Sequence, residues 1–307
     1  MIRKHILAVP VLLAVLTLVC LGDEPALQRF TFTERHMGTL FEIVLYAPSE
    51  AVAKDAARAA FARIADLDGI MSDYRPASEL MQLCKKAGGP PVPVSADLFD
   101  ILARSQEIAR LSGGAFDVTV GPVVRLWRRA RRTRRLPDPD ELARARARVG
   151  YDKIRLDAKQ RTVQLTLEGM LLDLGAIAKG YAAEAALEVL RRYGITRALV
   201  AASGDIAAGD PPPGARGWKV GIAPLEPGAQ PSRYVLLNHA AVSTAGDTEQ
   251  YVEINGKRYS HIVDPQTGMG LTRRSSATVV AHDGTTSDGL DTAVSVLGAR
   301  KGLALVE

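Results

Sequence analysis

Cysteine is nearly absent: of 307 residues only Cys20 and Cys84 carry a thiol. That excludes a disulfide-stapled scaffold and every zinc site built from several cysteines, so stability has to come from a hydrophobic core. Long apolar runs are scarce as well. The run "ILAVPVLLAVLTLV" at 6–19 falls short of the roughly 20 residues a membrane span needs, and Pro10 interrupts it. Placed behind Arg3 and Lys4, it reads as an export signal. Cys20 stands where a lipoprotein signal places its modified cysteine, although Thr17 and Val19 depart from the residues usual there, so lipidation, plain cleavage and an uncleaved anchor all stay open. The expected layout is an export segment at 1–19, a tether at 20–32 and a body outside the cytoplasm.

Repeats and long low-complexity segments are also missing, and 47% hydrophobic with 24% charged residues fits an ordinary globular body. The net charge of +5 is concentrated at 125–148, where ten arginines face only Asp138, Asp140 and Glu141. No aromatic interleaving or nucleic-acid motif accompanies them. The plain reading is a solvated helical hairpin turning at Pro137 and Pro139; the sharper one is a patch for anionic lipid head groups.

Periodicity supplies the elements. "TLFEIVLYA" alternates as a strand, and Ser49 caps a helix in which Phe61, Ile64, Leu67 and Met71 recur at helical spacing. A second helix starts at Ser95 and stops at Gly113-Gly114, and a third spans 177–193 before Gly194. Strands are expected at "TVQLTLE", "RALVAA", "WKVGIA" and "YVLLNHA". In "YVEINGKRYSHIVD" the pair Asn255-Gly256 marks a hairpin with a two-residue turn. Helices and strands without strict alternation favour an α+β fold over a doubly wound one.

Four places could carry chemistry. In "TTSDGLDTAVSVLG" a helix starting near Ser287 puts Asp288, Asp291 and Thr292 on one side, an all-oxygen set suited to magnesium or calcium; acidic residues in a first turn also simply complement the helix dipole. In "LDLGAIAKGYAAEAA" a strand-like stretch ends at Asp173 and Gly175 and a helix follows with Lys179, a turn that could approach a phosphate, though it has neither Walker nor Rossmann spacing. "LSGGAFDVTVGPVVRLW" sets glycines around Phe116 and Asp117, which either shape a slot for a flat ring or separate two helices. His261, at the exit of the hairpin, is a candidate proton carrier that Ser260 and Asp264 could orient.

Taken together, "HMGTLFEI", "MSDYRPASEL", "SGGAFDVTVGPVV", "DLGAIAKGYAAE", "ASGDIAAGD", "VSTAGD", "SHIVDPQTG" and "SDGLDTAVSVLG" occur in an order that resembles the FAD:protein FMN transferase family, known as ApbE. The resemblance implies a T-fold-like single domain over 33–307. It implies an exported, magnesium-dependent enzyme that passes the FMN half of FAD to a threonine or serine hydroxyl of a partner, releasing AMP. The partner would be a membrane redox subunit with a threonine-containing flavinylation sequence, met at the periplasmic face of the inner membrane. Carried over position by position, Met37, Tyr74, Ala115, Phe116, Asp117, Asp173, Lys179 and Val263 would line the FAD site. Asp288, Asp291, Thr292 and the Ala176 carbonyl would hold magnesium, and His261 would stand beside the pyrophosphate. Water in place of the acceptor hydroxyl would make the same site an FAD pyrophosphatase, and a flavin-binding lipoprotein without turnover is the reading from another class. The chain stops at "KGLALVE", inside an expected helix, where the resemblance implies further strand structure and hence an open sheet edge.

Overall fold

The computed structural model describes residues 26–226, 228–246 and 250–306. The export segment and Cys20 lie outside these residues. In chain order the elements are β1 (Gln28–His36), β2 (Thr39–Ala47), α1 (Glu50–Met71), α2 (Glu79–Lys85), β3 (Val92–Pro93), α3 (Ala96–Leu111), α4 (Gly121–Thr133) and α5 (Pro139–Arg146). Then come β4 (Ile154–Asp157), β5 (Thr162–Leu165), α6 (Ala178–Arg192), β6 (Ala198–Ala202), β7 (Asp205–Ala208), β8 (Trp218–Gly221) and β9 (Tyr234–Leu237). The last are β10 (Ala240–Gly246), β11 (Tyr251–Ile254), β12 (Lys257–Ser260), β13 (Ser276–Ala281), α7 (Gly284–Leu297) and α8 (Ala299–Val306).

A six-stranded sheet in the order β1-β2-β6-β7-β10-β13, antiparallel throughout, forms the frame, which is α+β as expected. Strand alternation gives it two apolar faces. Phe41, Ile43 and Leu45 of β2 join the main core with Ala53, Phe61, Ile64 and Leu67 of α1, whereas Val44 turns to the other face and packs with Leu199, Trp218 and Leu237. Helices α1, α6 and α7 cover the first face and the β8–β9 ribbon part of the second. A separate cluster joins α4 and α5 to the β11–β12 hairpin through Val123, Trp127, Ala145, Ile254, Tyr259 and Val263.

Most local expectations hold. Ser49 accepts the Val52 amide as N-cap of α1, and Ser95 accepts that of Leu98 at the start of α3. Asn255 and Gly256 both take positive φ (52° and 72°) between paired Ile254 and Lys257, as a tight hairpin turn requires. Two boundaries differ. The stretch assigned to a tether is already sheet from Gln28, because Phe30 and Phe32 pack against the main core. Helix α7 begins at Gly284, capped by Asp283, which accepts the Thr286 amide; Ser287 is inside the helix and its hydroxyl donates to the Gly284 carbonyl.

Candidate functional site

The early start of α7 moves Asp288 and Asp291 out of the first turn, so complementing the helix dipole does not explain them. Both are buried, at 2% exposure, and the structure adds a third carboxylate that sequence reasoning assigned no role: Asp205, also 2% exposed, at the first position of β7. One oxygen from each of the three lies within 4.8 Å of the others. Asp205 is brought there by the β6–β7 hairpin, whose loop Ser203-Gly204 leaves Ala202 paired with Asp205. Its only signal in the sequence is a lone acid opening an otherwise small and apolar strand.

Helix α6 contributes its first turn. The Gly180 amide, one of those that a helix start leaves without an internal partner, donates to Asp288 Oδ2 at 2.9 Å. Lys179 Nζ donates to Asp205 Oδ2. The helices can come this close because Gly180 and Gly284 meet backbone to backbone: a Cβ on Gly180 would lie 2.0 Å from the Gly284 carbonyl oxygen.

Burial pushes the Asp288 carboxyl up to about 7, with the Asp205 charge adding to the effect and Lys179 opposing it. Asp291 is raised well above the ordinary carboxylate value, by burial first and then by Asp288 and Asp205. For Lys179 burial works against the charge, but Asp288 and Asp205 outweigh it and hold the ammonium charged far up the scale. Three carboxylates against one ammonium leave a deficit of positive charge, and Asp291 Oδ1 is buried with no hydrogen-bond partner. The Ala176 carbonyl, just before α6, accepts no hydrogen bond among the described residues. Hard oxygen donors with unmatched negative charge fit a divalent cation such as magnesium.

Met37 sits at the β1–β2 turn with φ of 49°, an uncommon conformation for a non-glycine residue. Asp117 caps the short turn after α3 by accepting the Thr119 amide and hydroxyl, at 2.8 and 2.7 Å, and burial raises its pKa. Asp117, Gly113 and Gly114 form one wall of a cavity of about 550 Å³ that Pro265 and Gln266 also line, so the glycine motif and the loop after His261 share one space. Ala115 and Phe116 are core residues at 4% and 2% exposure, and the Phe116 ring faces the main core rather than forming a slot. Tyr74 and Asp173 meet at one side chain, Arg128, which donates to Asp173 and lies over the Tyr74 ring.

His261 follows the last residue of β12. Its Nδ1 and its backbone amide both approach the Gln250 carbonyl, at 3.0 Å. A carbonyl only accepts, so Nδ1 carries the proton and, in the neutral ring, Nε2 has the lone pair. Ser260 and Asp264 do not take the orienting role expected of them. The Ser260 hydroxyl accepts the Ile262 amide, and the Asp264 carboxylate closes the following turn through the Gln266 amide and the Thr267 hydroxyl. Val263, two residues on, is buried and bridges to Gly270.

A sequence model described as the ApbE family matches residues 37–307. The chain belongs to the ApbE family. It is 35% identical over 301 residues to the FAD:protein FMN transferase of Treponema pallidum (strain Nichols), covering 93% of this chain and 83% of that one. The Haemophilus influenzae protein of the same name is 35% identical over 250 residues, 79% of this chain and 72% of its own. Among solved structures, the ApbE protein of Thermotoga maritima superposes with a TM-score of 0.83 at 29% identity, covering 91% of this chain and 90% of that one. The flavin transferase ApbE of Vibrio cholerae gives 0.80 at 28%, over 92% and 91%.

Proposed function

We propose that this ApbE-family chain transfers the FMN moiety of FAD to a threonine or serine hydroxyl of a partner protein, with magnesium, and releases AMP. The observation that carries the reading is the buried, charge-deficient trio of Asp205, Asp288 and Asp291 beside Lys179; a site built only to hold a flavin ring has little use for it. The names of the relatives support the flavin-transfer half. Asp288, Asp291, Thr292 and the Ala176 carbonyl would hold the metal, with Asp205 facing the same point from β7. Bound magnesium would supply charge neutralisation at the pyrophosphate.

The acceptor hydroxyl attacks the FMN-side phosphorus, the bridging P–O bond breaks, and its oxygen leaves with AMP. Lys179 offers a fixed positive charge to the phosphate oxygens, and such transfers depend mainly on positioning and charge stabilisation. His261 Nε2 takes the hydroxyl proton, with the ring's orientation set by the Gln250 carbonyl. His261→Ala should lower turnover by about a hundredfold or more while FAD affinity changes severalfold at most. Equal losses in both, measured by steady-state transfer and FAD titration, would sink the base assignment.

The apolar run at 6–19 and Cys20 support export and attachment at the periplasmic face of the inner membrane, where a membrane redox subunit with a threonine-containing sequence is the acceptor. The deciding assay incubates the protein with FAD, magnesium and such an acceptor, and follows acceptor mass and AMP. An FMN phosphoester on the acceptor is the expected result. AMP and free FMN without modified acceptor would mean hydrolysis instead, and bound FAD without AMP a flavin-binding protein.

A further inference from the structure

The arginine-rich segment is not uniformly a solvated face. Arg132, Arg134, Arg135 and Arg144 are exposed, but Arg128 of α4 turns inward, its side chain 23% exposed, and reaches two separate loops. Nη1 donates to Asp73 Oδ2 at 2.5 Å, in the loop after α1, and Nη2 donates to Asp173 Oδ2 at 2.9 Å, in the loop before α6. The centre of the same guanidinium lies 4.1 Å from the centroid of the Tyr74 ring. Tyr74 is otherwise open, at 72% exposure, so Arg128 covers one ring face and the remainder meets solvent. Without that cover an exposed tyrosine would sample several rotamers, and the Asp73 and Asp173 carboxylates would be left facing one another.

We propose that Arg128 is a positioning residue for the nucleotide substrate: its planar fork fixes Tyr74 as a stacking platform for a planar heteroaromatic ring, and fixes Asp173 beside it. This rests on FAD being the substrate proposed above. Arginine suits the task because one group stacks on an aromatic face while its edge makes directed hydrogen bonds to carboxylates; lysine supplies charge without the plane or the fork. Holding the platform before the substrate arrives removes an ordering cost from binding.

The test is FAD titration with magnesium, read by flavin fluorescence, on the wild type, Arg128→Gln, Arg128→Lys, Tyr74→Ala and the double variant Arg128→Gln/Tyr74→Ala. Arg128→Gln should raise the FAD Kd about tenfold, Arg128→Lys should recover only part of that, and turnover at saturating FAD should fall less than threefold. The glutamine substitution should add under twofold once Tyr74 is alanine, because both act through one platform. Unchanged Kd in Arg128→Gln overturns the inference, as does full recovery by lysine or an undiminished effect in the Tyr74→Ala background. Thermal melts accompany each variant, and Arg128→Lys, which keeps the charge between Asp73 and Asp173, serves if the glutamine variant does not fold. A wild type that binds no FAD removes the substrate assignment itself, whereas a wild type that binds and variants that behave alike remove only Arg128's role.

Discussion

Asp288→Asn should abolish FMN transfer, by about three orders of magnitude, while leaving the metal-free protein as stable as the wild type or more so. The two halves of this result have one cause. Magnesium at a breaking phosphoanhydride supplies several kcal/mol of charge stabilisation, and each such unit of about 1.4 kcal/mol is a factor of ten in rate. In the metal-free fold, however, the Asp288 carboxyl is buried against Asp205 and Asp291, and its pKa is pushed up to about 7. A carboxylate whose folded pKa exceeds its unfolded one binds protons more tightly when native. Its contribution is therefore intact below about pH 4 and is lost as pH rises toward 7. For Asp288 alone the loss is on the order of 3 kcal/mol, a drop in Tm of roughly 5–10 °C for a domain this size. Melting curves in EDTA at pH 5 and pH 7.5 should show that decline, and millimolar magnesium should flatten it. A metal-free protein whose Tm is unchanged over this range would remove the electrostatic account of the trio.

Gly180→Ala is the second large effect, and its sign comes from two opposed magnitudes. Alanine in a helix is about 1 kcal/mol better than glycine. Here the added methyl would meet the Gly284 carbonyl oxygen at 2.0 Å and Asp288 Cβ at 2.8 Å, and the nearer obstacle is backbone that cannot swing aside. Forcing α6 and α7 apart should cost about 3 kcal/mol net and carry Asp288 away from the Gly180 amide, so transfer falls steeply and extra magnesium does not restore it. Gly69→Ala in α1, where a Cβ meets nothing within 4 Å, is the control and should gain about 0.5–1 kcal/mol. Equal melting behaviour of the two variants would show that the crossing tolerates a side chain.

How much of this was legible in the sequence follows from how local each signal is. Asp288, Asp291 and Thr292 could be grouped because helical spacing places them together, while Lys179 stands out separately, because it opens a helix after a glycine turn. Asp205 could not be joined to them, since its contact with Lys179 depends on sheet register set by a different hairpin. The start of α7 is ambiguous in sequence because Asp283 and Ser287 are both good capping residues, and only the fold shows that the Asp283 carboxylate meets a free amide while the Ser287 hydroxyl turns back to the Gly284 carbonyl. Ser260 and Asp264 looked like partners for His261 by proximity in sequence, yet each is used up by the turn that follows. The meeting of Gly180 with Gly284 leaves no periodic trace at all, and neither does Arg128 among its neighbouring arginines.

The satellite cluster of α4, α5 and the β11–β12 hairpin has a kinetic meaning. His261 leaves from that small cluster, built around Trp127, Ile254 and Tyr259, whereas the carboxylate trio hangs on the main sheet and its helices. Small clusters open locally at lower free energy than the global core, and a two-stranded ribbon has little to hold it alone. Amide hydrogens of β11 and β12 should exchange with deuterium well before those of β2 and β6. His261 and the carboxylates thus belong to different packed clusters, so under the transfer mechanism proposed above a bulky protein acceptor would be admitted beside His261 by breathing of the ribbon while the carboxylate trio stays intact.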